Sequence, residues 1–188
     1  MSQNDDAAEE IAALKAEVET LKARLAQAEM LADRDPLAPL LNRRSFMREL
    51  TRTLAYCERY KAEASLIYFD LDGFKAVNDR YGHAAGDEAL AHVSAILATH
   101  VRESDLAGRL GGDEFAVVLA QAGAEAAEVK AQALAAEVGS NPAGYQGRSI
   151  ALSISYGVRG FEPGLTAAQM LAEADAAMFL NKGRRRAG

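Results

Sequence analysis

Between Ile11 and Ala32 an apolar residue recurs in alternating steps of three and four, at Ile11, Leu14, Val18, Leu21, Leu25, Ala28 and Ala32, without Gly or Pro. That spacing keeps one stripe on a single helix face and predicts a coiled-coil seam. With Ile11, Val18 and Leu25 at position a, Leu14, Leu21 and Ala28 take position d, a pattern that favours two parallel strands. The g-to-e′ pairs of such a dimer are Glu10 with Lys15, Glu17 with Lys22, and Arg24 with Glu29, each opposite in sign. A helix packed on its own domain has no use for matched pairs, so the stripe reads as a stalk joining two chains.

The stripe ends at "RDPLAPLLNRRSF", where Pro36 and Pro39 oppose a continued helix and Asn42 can cap a new one from Arg43. The expected organisation is therefore a stalk over residues 1–33 and a globular domain over 34–188. Within the domain the patterning predicts a helix at 43–60, a strand at 65–71, and helices at 73–80 and 86–102. A hairpin at 107–119, a helix at 123–138, a strand at 149–158 and a helix at 166–182 follow. Mixed helices and strands in this order predict an α/β (α+β) sandwich around one sheet.

Composition narrows the function. The chain has 188 residues, a formal net charge of −6 and a pI near 5.2. An acidic surface excludes a nucleic-acid-coating role and attraction to anionic lipid. No apolar run approaches the ~20 residues of a membrane span, and the acidic start "MSQNDDAAEE" is unlike a secretory signal. The expected location is the cytoplasm, with Cys57, the single cysteine, a reduced core residue.

Two stretches carry candidate chemistry. In "GRLGGDEFAVVL" the pair Gly111-Gly112 suits a tight hairpin turn, but a turn does not explain the adjacent carboxylates of Asp113 and Glu114. In "SLIYFDLDGFK" an apolar strand runs straight into Asp70, where an unpaired charge is costly, and strand carboxyl ends are where ligands bind in α/β sheets. If strand and hairpin are neighbours, Asp70, Asp113 and Glu114 converge. Oxygen ligands without His or Cys suit Mg²⁺, with Mn²⁺ as the alternative, and Mg²⁺ also takes phosphate oxygens. Glycines 111 and 112 let phosphate reach backbone N–H groups, and Lys75, near the start of the following helix, meets phosphate charge. Asp72 reads as the N-cap of the helix beginning at Gly73-Phe74.

"RLGGDEF", "FDLDGFKAVNDRYGHAAGDEAL" and "DPLAPLLNRRSF" closely resemble the GGDEF-domain diguanylate cyclases, in the same order and spacing, over residues 34 to about 186. The resemblance implies condensation of two GTP into cyclic di-GMP with release of two pyrophosphates, and a mainly antiparallel sheet like the palm of nucleotidyl cyclases and polymerases. It makes Asp70 and Asp113 metal carboxylates with the Leu71 carbonyl nearby. Glu114 takes the other acidic position, as ligand or as helper in deprotonating the 3′-hydroxyl. Asn78 and Asp87 resemble the family's guanine readers, since one carboxylate can accept from N1–H and N2–H₂ together and adenine lacks that pair. Asp87 also suits an N-cap, and the two uses are compatible. Lys182 and Arg186 stand at the phosphate-contacting positions of the last helix. Arg102 and Asp105 match the family's inhibitory product site, a fork for O6 and N7 with an acceptor for N1–H and N2–H₂. The plainer reading of that pair is an i,i+3 surface ion pair.

The chain departs from the family pattern at Ala38-Pro39, where many members read Thr-Gly. The resulting expectation is a cytoplasmic homodimeric enzyme using GTP and Mg²⁺, inhibited by cyclic di-GMP, with control from a partner helix, from concentration or from product. Two other classes stand beside it: a catalytically silent cyclic di-GMP receptor, and a coiled-coil assembly module whose domain only docks.

Overall fold

The computed structural model describes residues 14–15, 17–22 and 33–187, with side chains as far as Gly183. The chain divides into two compact units, Met1–Arg34 and Asp35–Gly188. In the first, residues 14–15 and 17–22 are helical, and Leu14, Val18 and Leu21 are each about half exposed. The seam residues Ile11, Leu25, Ala28 and Ala32, and the charged residues Glu10, Arg24 and Glu29, lie outside the described residues.

A short strand β1 (Arg34–Asp35) turns at Pro36-Leu37 into β2 (Ala38–Asn42), and helix α1 (Arg43–Tyr60) follows. The Asn42 side chain accepts from Ser45 N at 3.0 Å, the expected cap, of a kind that contributes ~1 kcal/mol. Strand β3 (Ala64–Leu71) leads to α2 (Phe74–Tyr81) and α3 (His83–His100). The hairpin β4 (Leu106–Gly111) and β5 (Glu114–Ala120), α4 (Ala124–Ser140), a ribbon of β6 (Ala143–Tyr145) and β7 (Arg148–Ile150), β8 (Ile154–Gly160) and α5 (Ala167–Ala187) complete the order.

The main sheet has the order β1-β2-β4-β5-β3-β8. Pairing is parallel between β2 and β4 and antiparallel through β4-β5-β3-β8. β3 lies inside the sheet, and every one of its residues but Asp70 is buried. Its alternation serves two cores. Ile67, Phe69 and Leu71 belong to the core that includes Val77 of α2, Leu90 and Val93 of α3, and Leu134 of α4. Leu66 and Tyr68 belong to the core built with Phe46 and Leu50 of α1 and Met170 and Met178 of α5. Cys57 is buried in α1, and burial pushes its thiol pKa up, as suits an inert core residue.

Three local expectations are corrected. Helix α3 starts at His83 behind Gly82, whose φ of 86° suits glycine, so Asp87 lies in the second turn and caps nothing. The strand expected at 149–158 is two, because β7 pairs with β6 while β8 pairs with β3. Asp72 is no N-cap: Gly73, at φ 69°, takes that position without any side-chain bond.

Candidate active site

The carboxyl end of β3 is flanked on both sides. Asp70 pairs in register with Glu114 of β5 and with Ser155 of β8. Beyond it, Leu71 N donates to Asp113 O at 3.0 Å and Asp72 N donates to Ser153 O at 2.8 Å. Backbone pairing alone therefore brings the main chain of Asp70, Leu71, Asp113 and Glu114 together. The turn requires its glycines for conformation: Gly111 has φ 149° and Gly112 φ 48°.

The sequence reading missed what braces this turn. Arg109 donates to Gly112 O from Nε at 3.0 Å and Nη2 at 2.7 Å, and its Nη1 reaches both Asp35 oxygens at 3.1 and 3.3 Å. Both side chains are nearly buried, at 11% and 13% exposure. A planar fork held at both ends fixes the turn more firmly than a single surface pair does. The only available signal was an arginine two residues before a glycine turn whose carbonyls need donors.

Lys182, on α5, reaches the same place. Its ammonium bonds Asp70 Oδ1 and lies 3.2 Å from Asp72 Oδ1. Asp72 also accepts from Ser155 Oγ at 2.8 Å and Ser153 Oγ at 3.2 Å, which is where its carboxylate goes instead of the helix cap. Burial pulls the lysine pKa down, but the bonds to Asp70 and then Asp72 outweigh it and leave it above the ordinary value. On the same face, burial first, and the neighbouring Glu114 carboxylate second, push the Tyr68 phenol pKa up.

Among the described residues no three acidic, His or Cys side chains stand as a ready metal centre, and Asp70 is turned to Lys182. The donor set nonetheless fits a hard dication in chemistry: two aspartates, a glutamate and a main-chain carbonyl, all oxygen, around one strand end.

Asn78 packs closely against Gly86, the residue before Asp87. Asn78 is half-buried on α2, and a Cβ built on buried Gly86 would stand 2.0 Å from its Oδ1 and 3.0 Å from its Cγ. The glycine thus leaves room for the Asn78 amide beside exposed Asp87; Lys75 is exposed in the first turn of α2. Gly86→Ala is expected to expel the Asn78 amide and weaken GTP binding by about tenfold, the value of one good hydrogen-bond partner, as read by calorimetry. Unchanged affinity would remove Asn78 from the site.

Arg102 and Asp105 stand apart, at the opposite end of the β4–β5 hairpin, whose six-residue β4 spans roughly 20 Å. The ion pair considered from sequence is not what holds Asp105. Its carboxylate accepts from Arg102 N at 3.0 Å and Ala120 N at 3.1 Å. The pair borders a cleft of about 410 Å³ that Glu63, His100, Gln121 and Lys130 also line. The side chain of Arg186 lies outside the described residues.

The family model for the diguanylate cyclase GGDEF domain matches residues 32–187. The chain belongs to the GGDEF family. It is 36% identical over 185 residues to diguanylate cyclase TpbB of Pseudomonas aeruginosa, an alignment covering 95% of this chain and 42% of TpbB. It is 34% identical over 159 residues to the probable diguanylate cyclase DgcE of Escherichia coli, covering 84% of this chain and 14% of DgcE. This GGDEF chain thus spans less than half the length of either relative. Among solved structures it is similar to the coiled coil and GGDEF domain of DgcB from Caulobacter crescentus in complex with c-di-GMP, with a TM-score of 0.85, 29% identity and 93% of each chain covered. It is also similar to diguanylate cyclase SiaD of Pseudomonas aeruginosa in complex with its activator SiaC, with a TM-score of 0.79, 29% identity, and 97% of this chain and 70% of SiaD covered. The expected sandwich on a mainly antiparallel sheet holds.

Proposed function

We propose that this chain condenses two GTP into cyclic di-GMP and two pyrophosphates. The observation that carries the reading is the end of β3, where Asp70 and Lys182 stand beside a Gly-Gly-Asp-Glu turn braced by Arg109. Asp70, Asp113 and the Leu71 carbonyl would hold Mg²⁺, or Mn²⁺ in its place, and Glu114 would complete the set as ligand or as acceptor of the 3′-hydroxyl proton. When bound there, such a dication would supply the charge that lowers the pKa of the attacking hydroxyl and offsets charge on the α-phosphate and departing pyrophosphate. Lys75, Lys182 and Arg186 meet the phosphates, the backbone of Gly111 and Gly112 lies against them, and Asn78 and Asp87 read guanine.

One domain offers one such site, so closing the ring takes two chains, each hydroxyl attacking the other nucleotide's α-phosphorus. The parallel stalk of residues 1–33 supplies the pairing and raises the local concentration of domains 34–188; support comes from exposed Leu14, Val18 and Leu21 and from the likeness to a coiled-coil GGDEF structure. Arg102 and Asp105 bind cyclic di-GMP as inhibitor, supported by the cleft beside them. Asp105 remains competent because a carboxylate has about four lone-pair sites and backbone N–H groups take two. SiaD's complex with an activator supports a protein partner for this chain, and a regulatory helix is the form that would fit a coiled-coil stalk. No described helix is long and apolar enough to cross a membrane, and we place the enzyme in the cytoplasm, beside its GTP.

Incubation with GTP and Mg²⁺, with products identified by mass, tests the reading. Cyclic di-GMP and two pyrophosphates per product are expected, at a rate per chain that rises with protein concentration. Added cyclic di-GMP should slow the parent but not Arg102→Ala. Binding of cyclic di-GMP without turnover would favour the silent receptor and contradict this account.

A further inference from the structure

Asp72 is left without a task by the mechanism above, yet it is among the most heavily bonded carboxylates near the site. Its main-chain N–H donates to Ser153 O at 2.8 Å. Its Oδ1 accepts from Ser155 Oγ at 2.8 Å and lies 3.2 Å from Lys182 Nζ, while Oδ2 accepts from Ser153 Oγ at 3.2 Å. Backbone and side chain are thus both fastened to the segment leading into β8. Gly73 caps α2, so none of these bonds serves the helix. Two hydroxyl donors leave an ionised carboxylate with unused lone pairs, and the one cation within reach on the described residues is the Lys182 ammonium.

Lys182 is shared between two acids with different prospects. Asp70 lies at the strand end that the proposed function gives to a dication, whose double charge beside an ammonium on the same carboxylate is strongly repulsive. The lysine must then loosen its hold on Asp70. A lysine ammonium is a mobile point charge on a four-carbon stem, and without a second anchor it would swing into solvent. Asp72 is that anchor. It is 24% exposed, fixed by three bonds that do not involve Asp70, and on the side of the strand end facing β8 rather than the hairpin.

We propose that Asp72, oriented by Ser153 and Ser155, is a positioning residue that keeps the Lys182 ammonium at the site when Asp70 turns to the cation, so that the lysine meets the phosphate oxygens of a nucleoside triphosphate. The proposal rests on the nucleotide reading above and assigns Asp72 no contact with nucleotide or metal. Its signature is dependence on Lys182: without the ammonium there is nothing for Asp72 to hold.

The test is a double-mutant cycle read by calorimetric binding of guanosine 5′-(α,β-methylene)triphosphate with Mg²⁺, on the full chain. Asp72→Asn, which keeps shape and hydroxyl contacts but drops the charge, should weaken binding about tenfold, as loss of a charged hydrogen bond does. Lys182→Met should weaken it at least as much. The double variant should bind no more weakly than Lys182→Met alone. Ser155→Ala should give a smaller loss, again only when Lys182 is present, and it carries the cycle if Asp72→Asn fails to fold. Equal losses in both backgrounds would mean that Asp72 only supports the structure, and wild-type affinity in Asp72→Asn would remove its role; either overturns the proposal. If the parent chain itself does not bind the analogue, the nucleotide reading falls, and that failure is distinct from a cycle that merely adds.

Discussion

Replacing Asp70 by asparagine is expected to cut cyclic di-GMP formation by about a thousandfold or more and to leave the melting temperature nearly unchanged. Asp70 is the strand residue whose neighbours on both sides, Glu114 and Ser155, are fixed by ladder pairing, so its position does not depend on its charge. The amide has the same shape and can still accept from Lys182, which Asp72 also holds. What the variant lacks is the negative oxygen that binds the dication. Transition-state charge stabilisation by a metal is worth several kcal/mol, and ~4 kcal/mol corresponds to about three decades in rate. Steady-state turnover beside a thermal melt separates the two readouts. A variant that keeps the parent rate would take Asp70 out of the chemistry; one that loses rate and melting temperature together would make it structural.

Gly157→Ala is expected to have the largest effect on stability, about 3 kcal/mol, with loss of activity following from the same displacement. A Cβ on this β8 glycine would stand 2.2 Å from Ala174 O, 2.2 Å from Met178 N and 2.8 Å from Ala177 C. All three are backbone atoms of α5, so no rotamer change relieves the overlap and the helix itself must lift from the sheet. Buried Met170, Ala174 and Met178 then lose their packing against Leu66 and Tyr68. Lys182 lies one turn beyond Met178, so the lift also withdraws the ammonium from Asp70 and Asp72. Urea unfolding measures the first effect and turnover the second. Gly139→Ala, in α4 with nothing within 4 Å of the added carbon, is the control and should stabilise slightly, as Ala does within helices. A Gly157→Ala chain as stable as the parent would show that α5 does not sit on β8 as described.

What could be read from the sequence was local or strongly patterned. Asn42 before Arg43, the apolar run of β3 and the Gly-Gly turn each carry their cause within a few residues, and each stands where expected. Asp72 did not, because its local appearance, an acid just before a helix, is that of a cap. Its partners Ser153, Ser155 and Lys182 lie 81 or more positions away and become neighbours only when β8 and α5 pack beside β3. Asp35 of β1 and Arg109 of β4 are 74 apart and become neighbours only in a sheet where β2 runs parallel to β4, a pairing that no local period announces. The break at 151–153 was hidden for a related reason: "RSIALSISYGVRG" alternates well enough for one strand, and only pairing to different partners divides it. At Arg102 and Asp105 the spacing was legible but the bonding was not, since the aspartate is held by backbone N–H groups, one of them across the hairpin at Ala120.

The central claim is that the acids at the end of β3 and in the glycine turn hold a dication against a guanine nucleotide. The most direct test is to locate manganese by anomalous diffraction in crystals grown with Mn²⁺ and guanosine 5′-(α,β-methylene)triphosphate. The account predicts a peak within bonding distance of carboxylate oxygens of both Asp70 and Asp113 and of the nucleotide phosphates. Manganese bound elsewhere, with nucleotide present and Asp70 still turned to Lys182, would contradict it.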